Sequence, residues 1–162
     1  MNRLVLSILV ENNPGVLSRV AGLFSRRGYS IESLSVGETN EAGVSRITVV
    51  ANGDELILDQ IEKQLRKLVE VLEIFRLSHD DSVYRELLLI KVETKNEQER
   101  QSIVSIAELY RARIIDVAPN SLVVEVTGNP RKIKGIMAMV EGFNVIEVVR
   151  TGLTGIRRGI NG

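Results

Sequence analysis

Glu11-Asn12-Asn13-Pro14-Gly15-Val16-Leu17 joins two segments of different hydrophobic period, and the fold follows from how that junction is read. Before it, Leu4, Leu6, Ile8 and Val10 fall on one face of an alternating run, with Val5 and Leu9 on the other. That pattern predicts a strand covered on much of both sides. After it, Val16, Leu17, Val20, Leu23 and Phe24 recur at helical spacing, leaving Ser18, Arg19, Ser25 and Arg26 for other faces. The junction reads as a helix start, with Asn13 as cap and Pro14 at the first helical position, where its missing N–H costs nothing. Gly28 stands where a helix of this length ends.

Working outward, residues 31–36 and 47–50 read as two strands joined around Gly37 to Gly43. Ile31 and Leu34 are out of phase, which predicts a bulge in the first of them. Asp54 caps a second helix carrying Ile57, Ile61, Leu65 and Leu68 toward a core, and residues 71–77 supply another strand. The polar stretch Ser78-His79-Asp80-Asp81-Ser82 follows, and the same order then starts again. Residues 84–94 form a strand, and residues 97–110 a helix with Ile103, Ile106, Ala107 and Tyr110 as its stripe. Residues 114–117 and 122–126 make a hairpin through Pro119-Asn120-Ser121. Asn129-Pro130 starts a helix that turns Ile133, Ile136, Met137 and Val140 inward, and residues 143–149 close the second unit.

The order is duplicated although the letters are not. The expected fold is α+β: two ferredoxin-like βαββαβ units in tandem, with antiparallel sheets and helices on one face. The expected domains are 1–78 and 84–162, joined by a linker at 79–83, the second carrying an extended tail. A unit of about 70 residues is near the lower limit for independent stability. Its open sheet face needs cover from another sheet, the sister unit or a second subunit. A homodimer is therefore expected, with a monomer whose units cover each other as the alternative.

Composition narrows the function. In 162 residues, Lys+Arg and Asp+Glu both number 21, so the net charge is zero, against bulk-charge binding of nucleic acid or an anionic membrane. Cysteine is absent, which excludes disulfides, thiolate metal sites and cysteine nucleophiles, and His79 is the single histidine. Aromatics are 4% with no Trp, leaving few platforms on which bases could stack. No run reaches the roughly 18 apolar residues that span a bilayer. Met1-Asn2-Arg3 leads into the first strand pattern without a cleavage region, so a cytoplasmic location is expected.

The junction also carries the candidate chemistry. A helix start offers free N–H groups and a positive dipole end to an anion. A ligand carboxylate fits the amides around Gly15 and Val16, and Gly15 lets it approach the backbone closely. Asn12 offers a carbonyl to a ligand ammonium and an amide to its carboxylate, which suits a free amino acid. A tight turn with a helix cap and no ligand accounts for the same letters, and spacing does not choose between the two. Elsewhere, His79 beside Asp80 and Asp81 reads as a solvated linker. Arg26-Arg27 and Arg157-Arg158 are short basic pairs, the first of them solvated surface charge by default. Asp116 and Glu125 have no nucleophile placed with them, so an enzymatic reading has little to stand on. The tail Thr151-Gly152-Leu153-Thr154-Gly155-Ile156-Arg157-Arg158-Gly159 lacks acidic residues. Leu153 and Ile156 suit a segment that orders on a partner or against the second unit, a frayed end being the alternative.

Residues 10–20, Val-Glu-Asn-Asn-Pro-Gly-Val-Leu-Ser-Arg-Val, resemble the ligand loop and first helix of an ACT domain. Gly22-Leu23-Phe24-Ser25-Arg26-Arg27-Gly28-Tyr29-Ser30-Ile31-Glu32-Ser33-Leu34 narrows the likeness to the small regulatory subunits of acetohydroxyacid synthase (acetolactate synthase). Ser45-Arg46-Ile47-Thr48, Arg85-Glu86-Leu87-Leu88-Leu89-Ile90-Lys91-Val92 and Glu147-Val148-Val149-Arg150-Thr151-Gly152 are similar to the same family. The resemblance covers nearly the whole chain and is weaker between Thr94 and Tyr110.

The resemblance implies an N-terminal ACT domain that binds an amino acid and dimerises, in a subunit that does no chemistry itself. Its partner is the catalytic large subunit, which it activates and to which it confers feedback inhibition by valine or another branched-chain amino acid. Thiamine diphosphate, Mg and FAD are expected in that catalytic subunit and no cofactor in this chain. Carried over by motif, Asn12, Gly15, Val16 and Leu17 belong to the effector loop, and Ser30 and Ile31 approach from the other subunit of the dimer. The family often has Asn at the position of Ser30; a hydroxyl reaches less far. An ACT-type sensor of a different enzyme and an RNA-binding ferredoxin-like protein are the other readings of the fold. Neutral charge and the lack of paired aromatics on the central strands oppose the RNA reading. A hinge near residues 78–83 is the simplest expected route for the signal.

Overall fold

The computed structural model describes residues 2–160; residues 1, 161 and 162, at the outer ends of the two expected domains, lie outside the described residues. The first half forms β1 (Asn2–Glu11), α1 (Val16–Arg26), β2 (Ser30–Glu38), β3 (Val44–Gly53), α2 (Glu55–Leu65) and β4 (Val71–Arg76). The second forms β5 (Ser82–Glu93), α3 (Glu97–Leu109), β6 (Arg113–Ala118), β7 (Ser121–Gly128), α4 (Pro130–Val140) and β8 (Val145–Arg150), followed by a short β9 (Thr154–Arg157). Strand order is β2-β3-β1-β4 in the first sheet and β6-β7-β5-β8 in the second, with antiparallel neighbours throughout these two paths. The chain is α+β, two ferredoxin-like units, as the repeated succession of periods predicts.

Each unit has its own core on the helix side of its sheet. Leu4, Leu6, Ile8 and Val10 of β1 meet Val20 and Phe24 of α1 and Leu58, Ile61 and Leu65 of α2. Leu88, Ile90 and Val92 of β5 meet Ile103, Ile106 and Ala107 of α3 and Ile133 and Ile136 of α4. Three helices begin with a side-chain cap, each worth about 1 kcal/mol. Asp54 accepts from the Ile57 N–H at 2.9 Å, Asn96 from Glu99 at 2.8 Å and Asn129 from Lys132 at 2.9 Å, with Pro130 following Asn129. At the end of α1, Gly28 is left-handed (φ +67°), and the N–H groups of Tyr29 and Gly28 close onto the carbonyls of Phe24 and Ser25. This pairing satisfies carbonyls that the last helical turn leaves open.

The bulge expected in β2 is present. Ile31 pairs with Ala51 and Ser33 with Val50, so Glu32 is the extra residue. Its carboxylate accepts from Arg3 at 2.7 and 3.1 Å and from the Asn52 amide at 3.1 Å, which holds the kink in place. The β6–β7 hairpin is tighter than expected: Ala118 pairs with Ser121, so only Pro119 and Asn120 make the turn.

Two expectations need correction. Residues 79–83 are not all linker, because Ser82 and Val83 already belong to β5. The turn before them is tied internally. Asp81 accepts from the Ser78 N–H at 3.1 Å and the Ser82 hydroxyl at 2.6 Å, and its own N–H donates to the Ser78 hydroxyl. Those hydroxyl bonds hold the Asp81 carboxyl below its ordinary value. His79 is solvated, its side chain 92% exposed.

The tail is the second correction. Contacts divide the chain into residues 1–83 with 153–162, and residues 84–152, so the tail clusters with the first unit, while its strand β9 pairs with β5. Leu153 is 2% exposed; its N–H donates to the Ser33 hydroxyl and its carbonyl accepts from the Ser35 hydroxyl, both at 3.4 Å. The Arg157 guanidinium lies 3.8 Å from the centroid of the Phe75 ring, and the Arg158 N–H donates to the Asp81 carbonyl at 2.7 Å. Ser33, Ser35 and Phe75 pair with Val50, Thr48 and Ser7, all on the sheet face opposite the helices. The segment therefore runs as a strap from edge strand β2 to edge strand β4. Val5, Ser7, Thr48 and Val50 on this face are buried, which agrees with a first strand covered on both sides.

Glu62 of α2 joins that helix to β4. It accepts from Arg66 at 2.7 Å and from Arg76, which also pairs with Asp59. Burial pushes the Glu62 carboxyl up, but the hydrogen bonds and charges of Arg66 and Arg76 outweigh it and hold it below 4.5. The hydrogen bonds to Asp59 and Glu62 in turn raise Arg76. A carboxyl depressed on folding contributes stability above its unfolded value and loses it as pH falls through the folded one. Glu62→Gln is therefore expected to lower stability near neutral pH, and its deficit to shrink on acidification below the ordinary carboxylate range. Urea unfolding of both proteins across that range measures the difference.

Candidate functional site

The loop between β1 and α1 is built from backbone. The Glu11 N–H donates to the Glu70 carbonyl at 2.9 Å, and the Asn12 N–H to the Gly43 carbonyl at 2.8 Å. These two bonds fix the end of β1 between the turns before β4 and β3. The Asn13 N–H then folds back to the Glu11 carbonyl, and its side-chain amide donates to the Glu11 carboxylate at 2.9 Å.

Asn13 does not cap the helix. The residue at that position is Gly15, left-handed at φ +85°, with no side-chain hydrogen bond closing the helix start. Pro14 lies in the turn ahead of it. The reason is geometric: a left-handed turn at Gly15 redirects the chain into α1 two residues later than a cap at Asn13 would. Only glycine adopts that conformation without steric cost. The Val16 N–H is taken by the Asn13 carbonyl at 3.3 Å, and the Arg19 N–H makes the first helical bond, to Gly15, at 3.0 Å. The N–H groups of Leu17 and Ser18 lie between, in the turn where a helix has no internal acceptor for them. The other three helices begin with a side-chain cap; this one presents its positive end to whatever approaches Gly15.

A cation missed in the sequence reading stands beside that end. A Cβ on Gly15 would lie 3.3 Å from Nη1 of Arg19, whose guanidinium is held by an ion pair with Glu70. The i,i+4 spacing from Gly15 to Arg19 was the available signal. The pairing with Glu70 had none, because it depends on how the turn before β4 meets β1. Asn12 is exposed, Val16 is buried in the core, and Leu17 is 44% exposed beside the loop.

Ser30 and Ile31 are elsewhere. Ser30 pairs with Asn52 and Ile31 with Ala51, whereas Asn12 is bonded to Gly43. Asn52 in β3 and Gly43 just before it are nine positions apart, about 30 Å at the rise of a strand. The structure thus brings Asn12, Gly15, Val16 and Leu17 together at one end of the sheet and leaves Ser30 and Ile31 at the other. Ser30 is exposed and lines a cavity of about 650 Å³ with Tyr29, Asn52, Asp54 and Ile57, and Ile31 packs on the first core. Both lie on an edge strand, since β2 has β3 on one side only.

The remaining candidates are dispersed. Asp116 and Glu125 pair with Val123 and Arg113 across β6 and β7. Among the described residues there is no group of three or more His, Cys, Asp or Glu side chains placed to hold a metal ion. No helix among them is long and apolar enough to cross a membrane.

Comparison with known proteins agrees along the whole chain. Residues 6–73 match a family described as the AHAS small subunit-like ACT domain, and residues 85–159 one described as the small subunit of acetolactate synthase. The chain is 45% identical over 155 residues to a probable acetolactate synthase small subunit of Methanothermobacter thermautotrophicus, covering 96% of this chain and 92% of that one. It is 45% identical over 157 residues to the acetolactate synthase small subunit of Mycobacterium bovis, covering 97% and 93%. The crystal structure of the small subunit from Thermotoga maritima superposes with a TM-score of 0.89 at 36% identity over 99% of both chains.

Proposed function

The chain belongs to the acetolactate synthase small-subunit family, and from that membership we propose that it activates a separate catalytic subunit and makes it answer to valine. In this reading the chain performs no chemistry. Thiamine diphosphate, Mg and FAD belong to the catalytic partner, whose reaction this subunit only modulates.

One observation supports the effector site above the rest: α1 starts at a left-handed glycine with no side-chain cap, beside Arg19. A free amino acid places its carboxylate on the N–H groups of Leu17 and Ser18, and its ammonium toward the side-chain carbonyl of Asn12. Its branched side chain rests on Leu17, where burial contributes roughly 1.5–3 kcal/mol.

A second copy completes the site. β2 runs from Ser30, at the end of the sheet far from the loop, to Glu38, near Gly43 and Asn12. If two β2 edges pair antiparallel about a two-fold axis, Ser30 and Ile31 of one copy come beside the loop end of the other. The unpaired edge is then covered, which an edge strand requires in any case. Isologous pairing of this kind gives two equivalent sites per dimer.

Isothermal titration of the isolated protein with valine, leucine, isoleucine and alanine tests the reading. Saturable binding of one branched-chain amino acid is expected, between about micromolar and millimolar for a ligand this small. Alanine is expected to bind more weakly by the lost apolar burial. An absence of heat from all four, with and without the catalytic subunit, would sink the proposal.

A further inference from the structure

The strap places two anchored residues of the chain on either side of a single glycine. Thr151 is fixed in the second unit: its N–H donates to the Leu87 carbonyl and its hydroxyl accepts from the Leu87 N–H, both at 3.1 Å. Gly152 follows in a left-handed turn (φ +83°). Leu153 is then fixed in the first unit, buried and bonded to Ser33 and Ser35. The chain thus passes from an anchor in one unit to an anchor in the other across two peptide units, which span at most about 7 Å.

The strand gripped at Ser33 and Ser35 is the one that carries Ser30 and Ile31. Only the bulge at Glu32 lies between, and Arg3 and Asn52 hold it. A ligand that repositions the start of β2 therefore acts on a kinked, anchored strand whose next two serines hold Leu153. The tied turn at residues 78–82 makes the expected hinge there a poorer carrier of the signal.

From this we infer that Leu153, seated on Ser33 and Ser35, is the point through which effector occupancy at β2 reaches the second unit. The inference rests on the effector reading proposed above. The ligand-bound arrangement holds β2 in the form that seats Leu153, and by reciprocity the seated strap favours ligand binding by the same factor.

Hydrogen exchange on the full-length chain, with and without saturating valine, leucine or isoleucine as judged by titration, tests this. The Leu153 and Arg158 amides are the reporters, because each donates a hydrogen bond that exists only while the strap is docked. With bound ligand, exchange across residues 152–158 is expected to slow by about fivefold or more, the lower range of ordinary coupling. In the double variant Ser33→Ala, Ser35→Ala, the ligand's effect on Leu153 exchange is expected to vanish. Its dissociation constant should rise by a similar factor, and inhibition of the reconstituted enzyme should fall while activation persists. Unchanged exchange in protein that binds the ligand overturns the coupling alone. So does a double variant with parental affinity and inhibition. Failure of the parent chain to bind any of the three amino acids, alone or with its catalytic partner, overturns the site and the coupling together.

Discussion

Replacing Gly15 with aspartate is expected to abolish valine inhibition and leave activation of the catalytic subunit in place. The new carboxylate would stand at the positive end of α1, within reach of the Leu17 and Ser18 N–H groups and close to Nη1 of Arg19. It would act as the cap that this helix lacks, and so occupy the seat assigned to the ligand's own carboxylate. Losing two charge-assisted hydrogen bonds costs roughly 1.5–3 kcal/mol each, so the dissociation constant should rise at least about 100-fold. Gly15→Ala separates charge from backbone strain. It adds no charge, only the penalty of a left-handed non-glycine residue, about 1–2 kcal/mol, and a methyl 3.3 Å from the guanidinium end of Arg19, and should retain inhibition at higher valine. Valine titration and inhibition curves with reconstituted enzyme measure both. Undiminished inhibition in a Gly15→Asp protein with a parental circular dichroism spectrum would show that the ligand sits elsewhere.

Phe24→Ala should cost about 3–5 kcal/mol, a large part of the roughly 5–15 kcal/mol that holds a domain folded. The ring is fully buried, and the backbone carbonyl of the same residue accepts the Tyr29 N–H that closes the end of α1. Removing the ring leaves a cavity in the core of the first unit, under the helix that begins at Gly15. The effect should therefore appear both in urea unfolding and as weaker valine binding, because the loop loses the element that orients it. A loss below about 1 kcal/mol would mean that the neighbouring side chains collapse into the space.

The order of elements was legible because each carries a strong period, and the bulge at Glu32 was legible because a phase error in a strand has few other causes. The register of α2 was read less well. Ile57 was expected inward, yet Leu58 is buried and Ile57 only partly, since the inward stripe of an eleven-residue helix depends on its angle to the sheet. The loop was located correctly but not its geometry. Asn13 and Pro14 match a cap followed by a first helical residue, and only the left-handed turn at Gly15 moves the start to Val16. The Arg19–Glu70 pair was invisible because it links residues 51 positions apart. The strap was invisible for another reason: Leu153 and Ile156 are too few to set a period, and what holds the segment is a pair of serines on β2 at Leu153 and Phe75 and Asp81 at Arg157 and Arg158. Neutral charge and absent cysteine excluded functions but assigned none.

The strap also has a consequence for synthesis. The sheet on which Leu153 rests leaves the ribosome first, while Leu153 itself is made only after the whole of residues 84–152. At 5–20 residues per second, translating those roughly 70 residues takes about 4–14 s. Through that interval the nascent first unit exposes an unfinished sheet face to chaperones and to neighbouring chains. Of the two units, the one that emerges earlier is thus completed after the one that emerges later.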